Sequence, residues 1–112
     1  MRQVEVDFTQ RLQLINLLGG QEGRVADIRL LSKIIDKLDF TPEERDLSAL
    51  TTDPRGIMTW RLPADQPAFG VKVVDLEDAE AERVKTVLEA WPRFRPSDQK
   101  WLDPIFESLK KK

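Results

Sequence analysis

The chain has 112 residues, 40% of them hydrophobic and 34% charged, with a net charge of −2. That is room for one domain of ordinary soluble composition, burying roughly 65% of its unfolded surface, and it excludes a disordered chain. Cysteine, histidine and tyrosine are absent, which excludes disulfides, thiolate chemistry, zinc sites built on Cys or His, and imidazole acid–base catalysis.

The opening Met1-Arg2-Gln3-Val4-Glu5-Val6-Asp7 has no apolar h-region, so no secretory signal is expected. No apolar run exceeds two residues, where a membrane span needs about 20. Zero cysteine suits a reducing compartment, and the expected location is the cytoplasm.

Val4, Val6 and Phe8 alternate with polar residues, a strand signal. Asp7 and Gln10 resemble a capping box for a helix over residues 9–18, with Phe8, Leu12 and Ile15 on one side and a left-handed stop at Gly19-Gly20. Residues 24–38 carry Val25, Ile28, Leu31, Ile35 and Leu38 at helical steps, widened by Leu30 and Ile34, and are expected to form the core helix. Thr41-Pro42-Glu43-Glu44 starts a short helix, with Thr41 as cap and Glu44 closing the box. Asp53-Pro54-Arg55-Gly56 reads as a type I turn. Residues 57–62 and 71–74 then read as the two strands of a hairpin joined by a long loop over 63–70. Asp75 is the expected cap of a helix to Ala90, with Ala81, Val84, Val87, Leu88 and Trp91 inward. Pro92 ends it, and residues 91–96 are expected to be extended because a residue before proline disfavours the helical region. Ser97 or Asp98 caps a last helix to Leu109, which Asp103-Pro104 is expected to kink or restart, and residues 110–112 form a frayed basic tail. The expectation is one α+β domain over residues 1–112, its helices packed around a central core helix with a two- or three-stranded antiparallel hairpin or sheet.

Few residues suggest chemistry. No serine sits in a Gly-x-Ser-x-Gly setting, and no histidine could activate one. The carboxylates from Asp75 to Glu82 could serve a hard cation, but they match no calcium-loop spacing; they suit a helix N-terminus, with Glu80–Arg83 and Glu82–Lys85 as local pairs. Gly19-Gly20-Gln21-Glu22-Gly23 lacks the Lys-Ser/Thr of a phosphate loop. No enzyme, cofactor or metal is therefore expected. Residues 91–112 hold six basic residues against three acidic ones, a local +3. Within them Trp91, Arg93, Phe94, Arg95, Lys100 and Trp101 interleave the residue types enriched at interface centres, beside stiffening prolines. These six are the expected partner-binding residues, with Trp60 as a second anchor candidate. The same mix supports an alternative, a single-stranded nucleic-acid accessory protein. A would-be recognition helix over residues 41–50 is too acidic for DNA.

The motif order also resembles a known group. Arg11-Leu12-x-Leu14-x-x-Leu17-Leu18, a break containing Gly23, Lys37-Leu38-Asp39-Phe40-Thr41-Pro42-Glu43-Glu44, Ile57-x-x-Trp60, a helix over 84–90 and a C-terminal helix with Phe106 resemble a family of small uncharacterised proteins encoded by bacteriophages and prophages. Pro92, Pro96 and Pro104 depart from that pattern. The resemblance implies a phage gene product and carries no reaction or site residue. The expected function is non-enzymatic protein interaction, as a modulator of a host or phage protein; a virion component or assembly chaperone, pairing through the hairpin edge, is the other alternative.

Overall fold

The computed structural model describes residues 2–63, 65–66, 69–92 and 94–110. In chain order the elements are β1 (Arg2–Val6), α1 (Phe8–Gly19), α2 (Val25–Leu38), α3 (Pro42–Ser48), β2 (Thr51–Thr52), β3 (Met58–Thr59), β4 (Lys72–Leu76), α4 (Asp78–Ala90), a 3-10 turn (Pro96–Asp98) and α5 (Gln99–Lys110). The class is α+β, as expected.

The sheet pairing differs from the expected hairpin. β4 pairs antiparallel with β1, Val4 opposite Val74 and Arg2 opposite Leu76. Both strands alternate, so Val4, Val6, Val74 and Leu76 make one apolar face. The local hairpin is instead β2–β3, two residues a strand, closed around Asp53-Pro54-Arg55-Gly56. There the Asp53 carboxylate accepts the Arg55 and Ile57 N–H groups (2.9 Å each) and Gly56 N–H bonds Asp53 O (2.9 Å). The turn was readable; its short Thr-Thr strand was not.

Two apolar clusters result. The main core joins the β1–β4 face to Leu14, Leu17 and Leu18 of α1, Leu31, Ile34 and Leu38 of α2, Ala81, Val84, Val87 and Leu88 of α4, and Leu102, Ile105 and Leu109 of α5. The second comprises Phe8, Leu12 and Phe40, with Met58, Leu50 and Phe69 against it; the Phe8 ring lies 4.5 Å from Phe40. α2 is a core helix only in its second half. Val25 is 67% exposed and Ile28 lies at the surface, because the Arg83–Asp27 pair at 2.5 Å, and not apolar packing, ties its first turns to α4.

Other termini differ from expectation for local reasons. Gly20 is not left-handed (φ −90°); the Gln21 side chain instead donates to Leu17 O at 3.0 Å. Leu76 stays in the strand because it is buried, so the cap of α4 is Glu77. Its N–H donates to Glu80 at 2.9 Å. Glu80 does not pair with Arg83; it is buried and takes Lys37 Nζ at 2.6 Å. Burial opposes its charge, but the Lys37 and Glu77 donors outweigh that and hold its pKa below the usual value. α5 runs through Pro104. The missing N–H falls on the exposed side, while Leu102, Ile105 and Leu109 anchor the helix in the core.

The joint between the clusters is polar. Arg11 is 1% exposed, yet every guanidinium N–H is used. Nε donates to Leu38 O (2.9 Å), Nη1 to Glu44 Oε2 (2.6 Å) and Gly70 O (2.8 Å), and Nη2 to Asp39 O and Glu44 Oε1. The cation also sits 4.4 Å from the Phe40 ring centroid. Of α3 only Ser48 is buried. Seven residues are too few for a stable isolated helix, so α3 depends on this bond set and its Thr41 cap. The Arg11 hydrogen bond, then the Thr41 N–H, lower the Glu44 pKa against a desolvation penalty.

Arg11→Met takes the donor from three backbone carbonyls and from Glu44 and should cost about 1–3 kcal/mol for each carbonyl left unsatisfied in the interior, as read by urea unfolding. Glu44→Gln leaves the buried Arg11 cation without its counter-ion and should also destabilise, by about 3 kcal/mol where the amide oxygen does not replace the carboxylate. Because folding depresses the Glu44 pKa, its contribution is complete above the ordinary carboxyl range and is lost as pH falls through the lowered value; that acid loss should be missing from Glu44→Gln. Gly70 has φ +80° and a Cβ there would lie 2.7 Å from Phe8 Cβ. Gly70→Ala should therefore destabilise by more than ~1 kcal/mol, whereas Gly19→Ala, with open space around it, should be neutral or stabilising.

Candidate functional site

Trp91 adopts an extended conformation (φ −72°, ψ 119°) at the end of α4, as a residue before proline must. The chain then turns back, and the 3-10 turn leads into α5. This brings Trp91, Phe94 and Trp101 to one place beside α1. With Gln13, Asn16, Leu17 and Asp98 they line a surface groove of about 240 Å³. Each of the three aromatics is half-buried, packs against the main core and lines the groove. Phe94 and Trp101 meet edge-on, centroids 5.9 Å apart and planes at 71°, an arrangement that ring quadrupoles favour.

The Trp101 position is fixed from two sides. Its indole N–H donates to Asp98 Oδ1 at 3.0 Å, and its carbonyl accepts from Gln10 Nε2 at 3.0 Å. The other Asp98 oxygen accepts the Arg95 N–H at 2.8 Å. The Arg95 N–H first, then the Trp101 indole, lower the Asp98 pKa against desolvation, with the Arg95 charge adding to them, so the group stays a carboxylate with both oxygens engaged. By contrast, neither the Gln13 amide nor the Trp91 indole N–H has a partner among the described residues.

Of the six expected contact residues, the three aromatics converge in the groove. Arg95 and Lys100 are exposed and do not line it; they adjoin Phe94 and Trp101 in the chain, and the Arg95 charge acts on Asp98. Arg93 lies outside the described residues. Gln13, Asn16 and Leu17 were missed. Their i, i+3, i+4 spacing puts them on one helix face, but nothing in the local pattern says that residues 91–101 return to that face. Trp60 is a separate feature: 37% exposed, its ring 6.2 Å from Phe8 in the second cluster. Among the described residues no helix is long and apolar enough to cross a membrane.

Comparison of the chain with family models, curated proteins and solved structures finds no match, so the groove is read from its own chemistry. Asp98→Ala should release the Trp101 indole. In proton–nitrogen NMR its N–H resonance should move and exchange faster with solvent, while the Trp60 indole signal stays in place. Acidification of the unaltered protein through the lowered Asp98 pKa should produce the same change.

Proposed function

We propose that this chain is a non-enzymatic protein-interaction module whose contact site is the groove of Trp91, Phe94 and Trp101. The observation that carries the reading is the convergence of three half-buried aromatics on two unpartnered polar groups, Gln13 and the Trp91 indole. Aromatic side chains that are partly packed before binding lose little entropy on contact, the property of interface anchors. At about 240 Å³ the groove is below the ~300–1,000 Å³ of small-molecule pockets. It suits one side chain of a partner better than a metabolite. Its ionisable group, Asp98, is engaged by internal donors and is poorly disposed to proton transfer. In the phage setting that the family resemblance implies, the partner is a host or phage protein met in the cytoplasm, and the chain modulates it.

Asn16 is exposed on the groove wall, so Asn16→Arg fills the groove and gives up one exposed contact, the Asn16 Nδ2 donation to Met58 Sδ at 3.5 Å. Peptides selected on the immobilised protein from a random display library should bind Asn16→Arg at least about tenfold more weakly, ~1.4 kcal/mol. Selected peptides that ignore the substitution, or turnover of a small compound by the purified protein, would overturn the proposal.

A further inference from the structure

We infer that residues 41–62 form a strap that unlatches and melts as one unit while the rest of the molecule stays folded, with the Arg11–Glu44 pair as its latch. The strap holds α3, β2 and β3. Among the described residues, its polar links to the rest run through Glu44, Arg45 and Met58. Glu44 takes Arg11 N–H groups at 2.6 and 3.1 Å. Arg45 reaches Asp39 at 2.8 Å, both side chains being 50% exposed. Met58 Sδ accepts the exposed Asn16 amide at 3.5 Å. Exposed ion pairs add little, and a thioether is a weak acceptor, so the latch is the Arg11–Glu44 pair.

Apolar attachment is as thin. Of residues 41–62 only Ser48 is buried, and its hydroxyl bonds Glu44 O at 2.7 Å inside the strap. Leu50 and Met58 are half-buried against Phe8, Leu12 and Phe40, while Leu47, Ile57 and Leu62 are exposed. The other hydrogen bonds close within the segment. Arg61 N–H donates to Ser48 O at 2.7 Å, Leu50 N–H to Arg45 O at 3.2 Å and Asp53 N–H to Ile57 O at 2.9 Å. The Thr51 and Thr59 hydroxyls meet at 2.8 Å. This set cannot stand alone: α3 has seven residues and each strand two, too few for an independent helix or hairpin. A strap that leaves the body therefore loses its own structure in the same event.

The body does not need the strap in return. Its main core draws on β1, β4, α1, α2, α4 and α5 and takes no residue from 41–62. Arg11, released by Glu44, keeps the Leu38, Asp39 and Gly70 carbonyls and meets water where the strap lay, so its charge is solvated in both states. Unlatching uncovers the side of Phe8, Leu12 and Phe40 that Leu50 and Met58 cover.

Amide hydrogen exchange of the full chain, read by NMR at low guanidinium concentrations, tests this. Open segments with little buried surface exchange with a shallow denaturant dependence, and amides released only by global unfolding with a steep one. The Leu50, Asp53 and Arg61 amides should share one shallow opening, and the Ile34 and Leu88 amides should follow the steep one. Ile105→Val, a small loss in the main core, should speed exchange at Ile34 and Leu88 about two- to tenfold and leave the strap amides as they were. Glu44→Gln should speed the strap amides at least about tenfold. Equal acceleration of strap and core amides by Ile105→Val, or one denaturant dependence for both, would overturn the strap, since the molecule then opens only as a whole. Strap amides that keep their shallow opening and ignore Glu44→Gln would overturn the latch.

Discussion

One buried cation organises this fold. The Arg11 guanidinium has five N–H protons, and each has an acceptor: three backbone carbonyls from two stretches of chain, Leu38-Asp39 and Gly70, and both oxygens of Glu44. A charge moved out of water costs several kcal/mol unless all its donors are satisfied. The end of α2, the start of α3 and the loop closing at Gly70 must therefore all be in place together. Apolar packing cannot substitute for this around α3, whose side chains, apart from Ser48, lie wholly or partly in solvent. The fold thus has a hydrophobic main body and a smaller lobe fixed through ionic hydrogen bonds.

α1 belongs to every part of the molecule. Leu14, Leu17 and Leu18 face the main core, Phe8 and Leu12 the second cluster, and Gln13, Asn16 and Leu17 the groove. Gln10 ties the same helix to the Trp101 carbonyl. The groove wall is therefore pre-formed by a helix that cannot shift without disturbing the core. That rigidity keeps the ordering cost of binding low.

Local chemistry was the most readable part of the sequence. The Asp7–Gln10 and Thr41–Glu44 boxes and the Asp53 turn all stand where their residues place them, because each is settled within four or five residues. Strand partnership was not readable: Val71 to Val74 lie near residues 57–62 in the chain, and nothing local says that β4 pairs with the distant β1. Arg11 was also passed over, although it falls on the stripe of Phe8, Leu12 and Ile15; an arginine on an apolar face signals a buried hub only once its acceptors are known. For the groove, the sequence marked the aromatics of residues 91–101 that line it. The α1 wall required the three-dimensional path of the chain.

The pairing of β1 with β4 has a consequence for how the protein is made. Val4 and Val74 are seventy residues apart in the chain and directly opposite in the sheet. As the polypeptide leaves the ribosome, the valines of β1 emerge with no strand to lie against, and both helical neighbours on that side, α4 and α5, come later still. Closing so long a loop is slow compared with forming helices α1 and α2. During that interval the nascent chain exposes an apolar ribbon with open edges, the kind of surface that chaperones engage and that aggregation exploits.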